Sequence, residues 1–287
     1  MGYRTILVHL DRGRLASARI AAAAALALQY DAHLIGLATK GWRLMLTETA
    51  PELGVGLSAG LVAYEDAAMR ELDEQAQACV ASFEEQVMRL GVAKYEGRVG
   101  EGYAGYAMAQ SARYCDLAIV SQTDPDEAPL AQLPLLPEDV LMRSGRPLLL
   151  LPYNGQWSIA PAARILVGWN ASREAARAMH DALPMFTRAK SVEVVVFETP
   201  EDVSMDHGEA PGADIGLWLA RHGVTVDVRY VPAKVAAGEA LLSHAADMGA
   251  DLIVAGGYGH ARWREIVMGG VTRTLVRGSP VPLLLSH

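Results

Sequence analysis

The sequence predicts an α/β fold made of two doubly wound domains in tandem, each a five-stranded parallel sheet with helices on both faces. Three observations predict it. The first is an ordered internal repeat. Ile6-Leu7-Val8-His9-Leu10-Asp11 returns as Ile165-Leu166-Val167-Gly168-Trp169-Asn170, and Asp116-Leu117-Ala118-Ile119-Val120 returns as Asp251-Leu252-Ile253-Val254-Ala255. Each copy closes on a leucine run after proline, at Pro147 and at Pro282. Such self-similarity in one order marks tandem duplication. The second is that the strand-like segments are short and almost continuously apolar, as strands covered on both faces are. The third is the alternation of these runs with helical stretches, which implies a parallel sheet with crossover helices.

Taken in order, strands are expected near 3–10, 33–39, 94–99, 116–121 and 147–152 in the first copy. In the second they fall near 163–169, 191–198, 224–231, 251–256 and 282–286. Helices are expected over Leu15–Tyr30, Tyr64–Leu90, Gly105–Tyr114, Ser172–Phe186, Asp214–His222 and Ala237–Met248. Domain one is thus 1–152, and domain two is 163–287. The linker is 153–162, where Asn, Gly and Pro cluster. The first copy also carries an insertion at 41–60, read as a surface loop.

Composition narrows the function. The chain has 287 residues, 51% hydrophobic and 20% charged, which suits packed domains and not disorder. A net charge of −8 opposes a broad nucleic-acid footprint or an anionic membrane surface as partner. Cys79 and Cys115 form no CxxC pair and read as buried thiols. The Ala21–Ala25 stretch is too short to span a bilayer, and no signal-peptide pattern opens the chain. A cytoplasmic protein is expected.

The segment with chemistry in it is Gly256-Gly257-Tyr258-Gly259-His260, directly after the apolar run 251–255, with Gly269-Gly270-Val271-Thr272 beyond. Glycines at a strand's carboxyl end let backbone N–H groups approach an anion, and a following helix N-terminus adds positive potential. Arg262 and Arg264 lie inside the loop. The plainer reading is a glycine turn.

The spacing Gly256-x2-Gly259-x9-Gly269 resembles the phosphate-loop pattern of the universal stress protein family, where Ser or Thr follows the last glycine. The resemblance covers nearly the whole chain, as a tandem two-domain form. It implies Rossmann-like, adenine nucleotide alpha hydrolase-like units whose nucleotide-binding members hold ATP or a related adenine nucleotide. By that resemblance the site comprises Asn170, Phe197, Glu198, Ala255, Gly256, Gly259, His260, Gly269, Gly270, Val271 and Thr272. Gly270 departs from the pattern, so the hydroxyl contact is lost unless Thr272 supplies one. The family's adenine-proximal acid falls on Asn170 in copy two and on Asp11 in copy one; Asn170 also suits a turn into the helix at Ser172. The resemblance further implies pairing through last strands, here an intramolecular pseudo-dimer, with a further homodimer open.

Copy one diverges, because Ser121-Gln122-Thr123-Asp124-Pro125-Asp126-Glu127 puts acid and proline where copy two has glycine. An acidic loop repels phosphate, so this site reads as degenerate. Two further motifs are formal. Gly100-x-Gly102-x2-Gly105 follows a charged segment and reads as a turn, and Gly56-x-Ser58-x-Gly60 lies in the insertion without a preceding strand. The histidines show no metal-ligand spacing, and His9 reads as a core residue. The functional expectation is a nucleotide-binding regulatory or stress-response protein signalling by occupancy, with no catalytic residues assigned and at most slow ATP hydrolysis. Its alternative is an interaction protein whose glycine loop is a relic; a third reading places another small ligand under the 41–60 insertion.

Overall fold

Ten strands alternate with eight helices among the described residues. The computed structural model describes residues 2–40, 59–126, 136–154, 157, 163–198, 212–258 and 270–287, with backbone alone for 59–66 and Glu198. The first repeat runs β1 (Thr5–His9), α1 (Ala16–Tyr30), β2 (His33–Thr39), α2 (Ala59–Arg89), β3 (Tyr95–Gly100), α3 (Ala104–Ala112), β4 (Leu117–Ser121), α4 (Leu136–Ser144) and β5 (Leu148–Leu151). The second runs β6 (Arg164–Gly168), α5 (Arg173–Phe186), β7 (Ser191–Glu198), α6 (Ala213–Arg221), β8 (Val226–Pro232), α7 (Ala237–Met248), β9 (Leu252–Gly256), α8 (Gly270–Gly278) and β10 (Leu283–Ser286). Each expected strand is present. Nearly all of the 41–60 insertion and most of the 153–162 linker lie outside the described residues.

By contacts the chain divides into two compact units, one of Arg4–Ile119 with Glu127–Ser144, the other of Met1–Tyr3, Val120–Asp126 and Gly145–His287. In the first unit the strand order is β3-β2-β1-β4. Its pairs are parallel, with Ile6 opposite Leu34 and Val8 opposite Ile119. Ile6, Leu7, Val8, Leu34, Leu117 and Ile119 have no exposed surface, as strands sandwiched by helices require. Phe83 of α2 is equally buried and meets Tyr95 edge-on.

In the second unit the order is β5-β10-β9-β6-β7-β8. All neighbours are parallel except β5 and β10, which run antiparallel with Leu150 opposite Leu283 and Leu148 opposite Leu285. The last strand of the first repeat therefore packs within the second unit, beside the last strand of the second repeat. That is why both closing runs are pure leucine: each residue of Leu148–Leu151 and Leu283–Leu285 is fully buried.

The duplication is visible in backbone hydrogen bonds as well as in strand order. The Asp116 carboxylate accepts from the backbone N–H of Arg4 and of Thr5, and that of Asp251 accepts from Arg164 N–H. Beyond the first strands, Leu10 N–H donates to Leu37 and Trp169 N–H donates to Val195. Beyond the fourth, Gln122 N–H donates to Leu151 and Gly257 N–H to Ser286. Among the described residues no helix is long and apolar enough to cross a membrane.

Candidate functional site

The second unit has a topological switch point at β6. The chain leaves β6 through α5 to reach β7 on one side, while β9, bonded to the other side, is entered from α7. In open parallel sheets the connections part at such a point and leave a crevice at the carboxyl edge. The residues at that edge are those following β6 and β9.

After β6 the chain turns within four residues. Asn170 is half-buried, and its side-chain oxygen accepts from Ser172 N–H at 3.2 Å. Ala171 takes a left-handed φ of 54°. Ser172 then caps α5, its hydroxyl accepting from Ala175 N–H at 3.1 Å. This is an Asx turn running into a capped helix. Asn170 thus fulfils the turn role, and its side-chain NH2 is not used by that turn.

After β9, Gly256 lies under the first turn of α5. A Cβ there would stand 2.5 Å from Ala175 N and 2.7 Å from the Glu174 carbonyl carbon, so helix and strand can meet only over glycine. Ala255 is buried between Gly168 and Leu285 in the ladder. Gly257 N–H bonds Ser286, and its carbonyl contacts the His287 imidazole Nδ1 at 3.0 Å. Tyr258 takes a φ of 56°, and its N–H donates 2.9 Å to the Thr272 hydroxyl oxygen. Thr272 is buried on α8. Tyr258, just past β9, and Thr272, in the first turn of α8, are therefore tied together. Gly259, His260, Arg262, Arg264 and Gly269 lie outside the described residues. Gly270 opens α8 with no atom of the described residues within 4 Å of an added Cβ, and Val271 is exposed.

Phe197 and Glu198 end β7 at the same edge, one strand over. Phe197 packs edge-on to His244 of α7, with ring centres 6.2 Å apart. His244 bonds Glu193, a buried carboxylate that also takes Arg229 Nε at 3.3 Å. Glu193 was not singled out from sequence, although an acid inside an apolar strand is a legible signal. The first turn of α5 was also missed; no single residue marks it.

The first unit differs at the matching edge of β1. Asp11 accepts from Gly13 N–H at 3.0 Å, pairs with Arg19 at 2.7 Å and stands 3.3 Å from His9 Nδ1. Arg19 is 2% exposed and also donates from Nε to the His9 carbonyl. Burial alone would raise the Asp11 carboxyl's pKa; the His9 hydrogen bond and the Arg19 charge outweigh it and hold the carboxyl far below its ordinary range. Here the acid is already engaged by the protein's own cation. In the divergent loop Asp124 is buried and accepts from Asp126 N–H at 3.0 Å. The Gly100–Gly105 motif is a turn into α3: Gly102 has φ 81°, and the Asp139 carboxylate lies 2.7 Å from the Cβ position of Gly105. Cys79 is half-buried and Cys115 buried, and neither is in a disulfide.

Comparison with known proteins agrees with the fold. Residues 162–287 match the model of the Universal stress protein family. A universal stress protein from Archaeoglobus fulgidus DSM 4304 superposes with a TM-score of 0.74 at 15% identity, over 98% of this chain and 95% of that one. A functionally unknown protein from Pseudomonas aeruginosa PAO1 superposes with a TM-score of 0.55 at 16% identity, over 99% and 92%. At such identities the likeness concerns the fold. Among curated proteins no relative matches the sequence.

Proposed function

From the premise that residues 162–287 form a universal stress protein family domain, we propose that this chain is an adenine-nucleotide-binding regulatory protein with its site in the second repeat. The observation that carries the reading is the β6/β9 switch point. The N-terminal turn of α5 lies against the end of β9, and the loop from Tyr258 returns to α8 at the same edge. The N-terminal dipoles of the two helices favour an anion there. The amide NH2 of Asn170, which its own turn does not use, suits a base or ribose acceptor. ATP is the ligand the family pattern favours, with Gly256, Gly259, His260, Gly269, Gly270 and Val271 around its phosphates. Ala255, Phe197 and Glu198 would flank it. In the first unit Asp11 is occupied by Arg19, which favours a single site per chain. The antiparallel β5–β10 ladder supports pairing of the two repeats through their last strands.

Binding signals by occupancy in this reading and requires no turnover. Calorimetry of the intact chain with ATP tests it, alongside Gly259→Val, whose branched side chain would fill the space a phosphate oxygen needs. Saturable binding in the parent and its loss in the variant are expected. Equal binding by both would move the site elsewhere, and no binding by the parent would leave the loop a relic. One observation favours that relic reading, in which the protein serves as an interaction module: the Thr272 hydroxyl oxygen already accepts the Tyr258 amide.

A further inference from the structure

Among the described residues β3 is the last strand on one side of the first unit, bonded to β2 alone. Its inward bonds identify its outward groups. Leu34 N–H donates to the Lys94 carbonyl, and Lys40 N–H to that of Gly100. Neighbouring residues of a strand aim their backbone groups to opposite sides, so 94, 96, 98 and 100 face β2 while Tyr95, Gly97 and Val99 face away. Such edges are commonly blunted by proline, a bulge or charge. β3 holds no proline, and its six residues pair with β2 without a break. It does hold charge. The side chains of Glu96 and Arg98, 40% and 46% exposed, flank Gly97 on one face of the sheet and pair with each other; Glu96 also meets His33. Tyr95 and Val99 flank Gly97 on the other face, where Tyr95 packs on Phe83 of α2.

We infer that the β3 edge is a docking surface for a second copy of this chain, paired antiparallel about Gly97. In that register Tyr95 meets the partner's Val99, Gly97 the partner's Gly97, and Val99 the partner's Tyr95, so every outward N–H and C=O of the three is bonded. Glu96 lands opposite the partner's Arg98, and Arg98 opposite the partner's Glu96. These are non-hydrogen-bonded positions, with Cα atoms about 4.5 Å apart, nearer than the roughly 6.6 Å to the second neighbour along the same strand. The charges that repel other edges therefore select this one. Centring on Glu96 or on Arg98 sets like charge against like, as does a parallel pairing in register. The Tyr95–Val99 pairs add aromatic contact with a β-branched side chain. One group opposes the pairing: Glu84 of α2 reaches over Gly97, its Oε1 3.2 Å from where a Cβ would stand, and so comes beside the partner's Glu84 at the two-fold axis. Two six-residue strands make a small contact beside the roughly 1,200 Å² of a stable interface, so the dimer forms with rising concentration.

Sedimentation of the full chain over a concentration series measures the association, with circular dichroism to check that each variant folds. The parent should dimerise reversibly. Glu96→Lys sets lysine against the partner's Arg98, and Arg98→Glu sets glutamate against the partner's Glu96. Each variant alone should associate about tenfold more weakly than the parent. Mixed, the two are complementary and should pair with parental strength. Glu84→Gln removes the like charges at the axis and should tighten the dimer. A parent that stays monomeric throughout overturns the docking surface, and so does a dimer indifferent to both charge reversals, which would lie away from β3. Variants that weaken singly and still fail to pair when mixed overturn the register about Gly97, as does a Glu84→Gln dimer no tighter than the parent's.

Discussion

Two side chains at the carboxyl edges make separable claims about energy. Thr272 is buried with its hydroxyl accepting the Tyr258 amide, so Thr272→Val keeps the shape and strands an N–H. A donor left unsatisfied in a partly buried site costs about 1–2 kcal/mol. Urea denaturation should show a loss of that size, with Thr272→Ser restoring most of it; equal midpoints for Val and parent would mean that the bond contributes nothing. Asp11 bears on pH. Its carboxyl titrates far below its ordinary range, because the His9 hydrogen bond and Arg19 outweigh the effect of burial. A group whose folded pKa is depressed contributes stability that is fully present above its unfolded value, about 4, and is lost as pH falls toward the folded one. Asp11→Asn should therefore lower stability at pH 7 and flatten its decline below about pH 4. A variant whose stability falls with acid as steeply as the parent's would place the sensitive carboxylate elsewhere.

At the scale of elements, Gly256 of the loop pattern and Gly270, which stands where the pattern has a hydroxyl residue, differ in kind. Gly256 has the backbone of α5 across its Cβ position at 2.5 Å, and Gly270 has none of the described residues within 4 Å of its own. Gly256→Ala must push a helix off a strand and should cost about 1–3 kcal/mol. Gly270→Ala meets no atom of the described residues and improves helix propensity, by up to about 1 kcal/mol in a helix interior and less at an end. Thermal melts of the pair should move in opposite directions, and a parallel drop would mean that both glycines serve packing. The same contrast explains what was legible beforehand. Strands were readable because burial on both faces forces unbroken apolar runs such as Leu117–Val120. Six helices were readable as helical stretches between those runs, two of them only nine residues long. The nine-residue helices α4 and α8 were not: α4 carries Pro137 in its first turn, where proline is tolerated, and α8 begins and ends on glycine. Acids Glu138 and Asp139 at the start of α4 and Arg143 near its end were the dipole signals available. In the site, Asn170 and the glycines were legible as types at a spacing, whereas the Gly256–Ala175 approach depends on two segments far apart in sequence.

For the whole molecule, the repeat was legible because both copies keep the same strand ends, but the contact units do not follow the repeat boundary. Residues 120–126 and 145–152 belong with the second unit, since Leu148–Leu151 pair with β10 and Gln122 bonds Ser279. Nothing in the leucine run of β5 says which repeat it will pack with; one face of hydrocarbon is much like another, and the partner is chosen by chain geometry. The consequence is a prediction about dissection. A fragment of residues 163–287 contains β6 to β10 but lacks β5, so one side of β10 loses its antiparallel partner. That edge carries Leu283, Leu284 and Leu285, all fully buried in the intact chain. An unpaired, apolar edge strand is a template for pairing with another copy. The fragment should therefore self-associate through β10, as a dimer at micromolar concentration by light scattering. Replacing Leu284 with lysine, which sits opposite Leu149 in the intact ladder, should return it to a monomer if the fragment still folds by circular dichroism. Restoring residues 145–162 to the fragment supplies β5 in cis and should have the same effect without altering the edge. A fragment that stays monomeric and folded without β5 would mean that β10 needs no partner, and the grouping of β5 with the second unit would then be incidental to its stability.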